Sequence, residues 1–178
     1  RFFTKLGWQA LLIDANPEFS KLLTNYYQDN NEVTVVKTLI STNDGVAKYL
    51  AMEEGTHSGI SDDGVETKSE RLSTLLKRLK LQDKKIGILS IDAEGFDNEI
   101  LKSVLADKIY PEIIIIEANS KADREEVISI LSSKYELIGE TGRGFRQGQV
   151  GMFASKVVSK ALHINLFEGV NTIWKLKN

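Results

Sequence analysis

Four consecutive isoleucines, Ile113 to Ile116, sit between Pro111-Glu112 and Glu117. An apolar run with no polar position in it fits a strand covered on both faces, so this chain needs layers above and below at least one strand. Ile86-Gly87-Ile88-Leu89-Ser90-Ile91 has nearly the same character. Between the two, Ile100, Leu101, Val104 and Leu105 recur at helical spacing. Strand, helix, strand at this spacing implies a βαβ crossover and a mostly parallel sheet, the α/β class.

The same alternation runs through the first half. Gln9 to Ile13 is a short strand ending at Asp14, and Asn16-Pro17-Glu18 reads as a helix start with Pro near the first helical position. Phe19, Leu22, Leu23 and Tyr26 then form one stripe, expected to lie on the sheet. Val33 to Val36 and Thr38 to Ile40 are β-branched and stop at the loop Ser41-Thr42-Asn43-Asp44-Gly45, with Val46 to Met52 returning as another strand. Glu53 to Glu66 has turn composition and no period, and is expected to be a long loop. Leu72, Leu75, Leu76 and Leu79 mark a helix, and Asp123 to Ser132 another. Tyr135 to Gly139 and Val150 to Ala154 flank a loop rich in Gly and Arg and are expected to pair as a C-terminal antiparallel hairpin. The expected organisation is one domain over 1–155 and a basic tail over 156–178.

Composition narrows the function classes. A chain of 178 residues, 42% apolar, buries roughly 70% of its unfolded surface in a single domain and needs no covalent staples. It contains no Cys, which removes thiol chemistry and fits a reducing compartment as well as many others, so Cys usage does not settle location; a cytoplasmic one is the expectation. The net charge of −2 provides no general field for nucleic acid. Uninterrupted apolar runs of four or five residues fall far short of the ~17 to 25 needed for a membrane span. The opening Arg1-Phe2-Phe3 is neither an initiator Met nor a signal peptide.

Three of the strands end in acids: Ile13-Asp14, Ile91-Asp92 and Ile116-Glu117. Ligands of open parallel sheets gather outside the carboxyl ends of the strands, so three such acids together point to a site, although each singly fits a helix-capping role. An acid placed like Asp14 suits the two hydroxyls of an adenosine ribose. Ser41, Thr42 and Asn43, closing the next strand, are placed for an adenine edge or, equally, for a polar turn. His57 and His163 lack metal-ligand spacing, and no zinc motif is present. Asp92, Glu94 and Asp97 offer oxygen ligands suited to Mg²⁺, yet their spacing is not that of a calcium loop, and no metal is assigned. Gly142 to Gly148 is G-x-G-x-x-x-G ahead of a strand rather than a helix, which disfavours a dinucleotide fingerprint.

Gly7-Trp8-Gln9-Ala10-Leu11-Leu12-Ile13-Asp14-Ala15-Asn16-Pro17 resembles the G-W-x-G-L-x-I-E-P-N-P segment of the FkbM family of S-adenosylmethionine-dependent methyltransferases. Ile88 to Leu101, with Ile91-Asp92-Ala93-Glu94-Gly95 at its centre, is similar to that family's L-K/S-I-D-V-E-G-x-E-x-x-V-L signature. Thr67 to Leu76 loosely matches V-x-T-x-R-L-D-x-L-L, and Pro111 to Glu117 matches P-x-x-I-x-x-E. Asp14, Ala15 and Asp97 replace the family's Glu, Pro and Glu. The family's first strand and glycine turn, D-x-G-A-x-x-G, has no counterpart before Trp8, and an upstream piece carrying it is expected.

The resemblance implies a Rossmann-like class I methyltransferase sheet that uses S-adenosylmethionine to methylate a hydroxyl of a sugar or other polyol-like product. Asp14, Asn16, Ser41, Thr42 and Asp92 are the expected cofactor-binding residues. Asp92, Glu94 and His57 are the expected catalytic ones, with Glu94 the first candidate for base and His57 the second. A small-molecule or glycan acceptor is the expected partner. The competing reading is a non-catalytic Rossmann-like module of a glycan-assembly protein.

Overall fold

The computed structural model describes residues 6–50, 59–118, 120–141 and 171–177. The chain divides into two compact units, Arg1–Gln82 and Asp83–Asn178.

In the first unit, β1 (Ala10–Asp14) pairs in parallel with β2 (Val33–Lys37), from Ala10 opposite Val33 to Asp14 opposite Lys37. Helix α1 (Pro17–Tyr27) joins them. It starts where the sequence indicates: Asn16 is extended, and its side chain accepts the N–H groups of Glu18 and Phe19, two of the helix's orphan donors. Pro17 takes the first helical position, where no N–H is needed.

The rotation of α1 differs from expectation. Ser20 is buried and donates its hydroxyl to the carbonyl of Asp14 at 2.7 Å. The row Ser20, Leu23, Tyr27 faces inward, with Ser20 buried and Leu23 and Tyr27 half-buried. Phe19, Leu22 and Tyr26 remain 37, 62 and 61% exposed. Periodicity located the helix but chose the wrong one of its two apolar rows.

The remainder of this unit is a small sheet of β3 (Leu39–Ile40), β4 (Gly45–Leu50), β5 (Gly59–Ile60) and β6 (Val65–Glu70), in the order β3-β6-β4-β5. Only β3 and β6 run parallel there. The long loop expected over Glu53 to Glu66 is thus corrected from Gly59 onward: β5 and the start of β6 are strands, joined through a turn closed by Gly64 N–H to Ser61 C=O at 2.9 Å. Val-Glu-Thr-Lys-Ser-Glu of β6 exposes much of its length, so no apolar alternation marked it as a strand. Helix α2 (Leu72–Arg78) buries Leu72, Leu75 and Leu76, with Lys77 and Arg78 at its negative end.

The second unit is built on β7 (Ile88–Ile91), α3 (Asp97–Ala106), β8 (Ile113–Glu117), α4 (Lys121–Leu131), β9 (Tyr135–Thr141) and β10 (Asn171–Leu176). β7 and β8 are parallel, with Ile91 opposite Ile116. Ile114, Ile115 and Ile116 are fully buried, as a run without alternation requires. Ile100, Leu101 and Val104 of α3, and Val127 and Leu131 of α4, complete the core. Ser120 and Asp123 form a reciprocal capping box at the start of α4. Tyr135 donates its hydroxyl to Pro111 C=O, and the Trp174 indole N–H reaches Thr172, so these buried polar atoms are paired.

The sheet order is β7-β8-β10-β9, and β10 is antiparallel to both neighbours. Val150 to Ala154, the expected partner of β9, lies outside the described residues; the partner seen is β10, from the segment read as a tail. The chain is a mixed α/β protein whose described strands form three sheets. Among the described strands, β1/β2, β3/β6 and β7/β8 pair in parallel, less than a mostly parallel reading expects.

Candidate functional site

Each unit carries part of the expected constellation. In the first, Asp14 closes β1. Its Oδ1 accepts the N–H of Asn16 at 2.8 Å, and its carbonyl accepts both the Ser20 hydroxyl and the Thr38 N–H. Partial burial pushes its carboxyl above the ordinary range, opposed by the Asn16 N–H, which favours the charged form. Asn16 itself is buried, and its side-chain oxygen caps α1.

Asp14 is connected to the Ser41-Thr42 loop through side chains that were not singled out from sequence. The Thr38 hydroxyl donates to Glu70 at 2.8 Å, and the Glu70 carbonyl accepts the Ser41 N–H at 3.0 Å. Ser41 is buried. The Arg71 guanidinium donates to Thr42 C=O, while Asp44 accepts the Arg71 N–H and the Thr74 hydroxyl, each at 2.8 Å. Asp44 therefore caps α2 from 27 residues away, where the adjoining Arg71 side chain makes no cap. Glu70 is 6% exposed, and the bonded Arg78 guanidinium at 2.6 Å holds its carboxyl below the usual range. The sequence signals for this network were the polar loop beginning at Ser41 and the family-like stretch Thr67 to Leu76, which contains Glu70, Arg71 and Thr74.

In the second unit, Asp92 directly follows β7 and Glu117 ends β8, each one residue past the paired Ile91 and Ile116. Solvent reaches the Asp92 side chain, yet enough protein surrounds it to push its pKa up to about 6, helped by the charges of Glu117, Asp97 and Glu94. Glu94 is exposed, with φ of +49°, followed by Gly95 at +93°. Asp97 is 6% exposed. Its two oxygens accept the N–H groups of Ala93 and Gly95 at 2.9 and 3.0 Å. Asp92, Glu94 and Glu117 are thereby gathered at one end of the β7/β8 pair, where an acid poised near neutrality can hold or release a proton. His57, the other candidate base, lies outside the described residues, as do His163 and the loop Gly142 to Gly148. Among the described residues no group of three or more His, Cys, Asp or Glu is arranged to hold a metal ion. Among them, too, no helix is long and apolar enough to cross a membrane.

Parallel strands that end in or next to carboxylates and lead into helices make this a mixed α/β protein. Residues 1–146 match the Methyltransferase FkbM domain, and the chain belongs to that family of methyltransferases. No curated protein and no solved structure matches it.

Proposed function

We propose that the protein is an S-adenosylmethionine-dependent O-methyltransferase acting on a hydroxyl of a sugar or polyol-like molecule, built on a Rossmann-like sheet. Among the described residues β1 and β7 each have one unpaired edge, and an added parallel strand at such an edge would satisfy its backbone groups. The observation that carries the reading is that, inside the family-matched stretch, each unit closes strands with carboxylates: Asp14 at β1 in the first, Glu117 at β8 with Asp92 just past β7 in the second.

The residues fit the cofactor's chemistry. The Asp14 carboxylate accepts the Asn16 N–H at Oδ1 and has no second hydrogen-bond partner among the described residues, which suits it to a ribose diol. Ser41 and Thr42 serve the adenine side. Asn16 shapes the Asp14 turn through its N–H. Asp92 serves the cationic methionine end, where a carboxylate complements both sulfonium and ammonium. The cofactor supplies an electrophilic methyl group. Glu94 takes the proton of the acceptor hydroxyl as that oxygen gains the methyl, a role worth roughly 10²- to 10⁴-fold. His57 is the second candidate for this role.

Calorimetry with S-adenosylhomocysteine tests the reading. Binding by the wild type and at least tenfold weaker binding by Asp14→Ala are expected. Absence of heat at millimolar ligand with the wild type overturns it. Transfer of labelled methyl to a panel of sugars, phenols and amines tests the acceptor class; transfer to amines alone would overturn O-methylation.

A further inference from the structure

Asp97 differs from the acids around it. It is buried at the first position of α3, and it directs both carboxylate oxygens backward, to the N–H groups of Ala93 and Gly95. Those two groups bracket Glu94, which has the left-handed backbone that an L-residue adopts only when its surroundings impose it. Gly95 continues the left-handed turn, and the Phe96 N–H closes it on Ala93 C=O at 3.2 Å. Phe96, at the cap position, contributes no side-chain hydrogen bond. The turn therefore takes its shape from a carboxylate inside the helix that follows. Charge-assisted bonds from one carboxylate to two N–H groups are stronger than neutral ones and fix an orientation as well as a distance.

We propose that Asp97 is a positioning residue: by holding the N–H groups of Ala93 and Gly95 it fixes the turn that presents Asp92 and Glu94, and so sets the alignment on which methyl transfer depends. The catalytic half rests on the proposed function; the turn-fixing half stands on the geometry alone. A simple helix-dipole role for Asp97 makes a different prediction, because an acid that only stabilises α3 protects the amides along the helix rather than the two before it.

The test uses the full chain with Asp97→Asn and Asp97→Glu. Asn keeps the size but offers a single acceptor oxygen and sets an NH₂ against the other N–H; Glu keeps both acceptors. In Asp97→Asn, amide exchange at Ala93 and Gly95 should accelerate at least tenfold while Leu101 and Ile115 change less than twofold. Its kcat should fall at least tenfold with KM for the acceptor within threefold. Asp97→Glu should restore protection at both amides and at least a third of kcat. Unchanged exchange at Ala93 and Gly95, or equal acceleration along all of α3, overturns the proposal. So does a loss expressed in KM alone. Should the wild type show no methyl transfer while the exchange pattern holds, the functional reading falls and the turn-fixing role stands, so the two failures are separable.

Discussion

Replacing Asp92 by Asn should make the protein more stable at neutral pH, and the size of the effect follows from the crowding of charge at the end of β7. The Asp92 carboxyl is raised from an ordinary 3.8 to about 6, first by burial and then by Glu117, Asp97 and Glu94. The folded state thus binds this proton more tightly than the unfolded chain. Its favourable contribution is complete below about pH 4 and is lost as pH rises through about 6. A shift of this size has a ceiling of ~3 kcal/mol. Solvent reaches the side chain and screens its neighbours, which reduces the expected effect to ~1 kcal/mol. Asn imitates the protonated acid, and no hydrogen bond to the Asp92 carboxylate is seen among the described residues. Urea unfolding should therefore give Asp92→Asn an advantage of ~1 kcal/mol at pH 7.5 that vanishes by pH 3.5. Equal or lower stability of the variant at pH 7.5, or a carboxyl carbon of Asp92 titrating near 3.8 by NMR, would refute the reasoning.

Glu70 should respond to acid in the opposite sense: its carboxyl is held low by Arg78, so its contribution is complete above its ordinary 4.5 and is lost as pH falls through the lower folded value. Glu70→Gln should cost ~1 to 2 kcal/mol at pH 7 in urea unfolding, with the difference shrinking in acid. A Cβ at Gly64 would stand 2.5 Å from the Tyr49 carbonyl carbon, a clash with backbone that cannot swing aside. Gly64→Ala should therefore lower stability by about 1 to 3 kcal/mol, read by thermal melting. Asp44→Ala removes the remote cap of α2 and should cost about 1 kcal/mol, with faster amide exchange at Arg71 as the local signature.

What sequence revealed and what it hid divide along physical lines. The isoleucine run and the Asn16-Pro17 start were legible because burial on two faces and helix capping act on neighbouring residues. The acids at Asp14, Asp92 and Glu117 were legible because they end apolar runs. The inward row of α1 was not: Ser20, bonded to the Asp14 carbonyl, takes a buried position while Phe19, Leu22 and Tyr26 stay exposed, and no apolar pattern marks a buried serine. β6 was hidden by its exposure, and the pairing of β9 by its distance in sequence from β10. In the candidate site, Asp44 read as part of a polar loop and Asp97 as an oxygen donor standing where the family has Glu; the work of both depends on backbone donors that no composition or period displays.

The place of β10 has a consequence for biosynthesis. Since this strand lies between β8 and β9, the sheet of the second unit remains divided until residue 176 has emerged from the ribosome, although both flanking strands are made well before. Among the described strands, β8 and β9 each lack their β10 neighbour during that interval, and an unpaired β edge on a nascent polypeptide is a binding site for a chaperone. Cutting the gene where the family match stops, at residue 146, would make that vulnerable interval permanent.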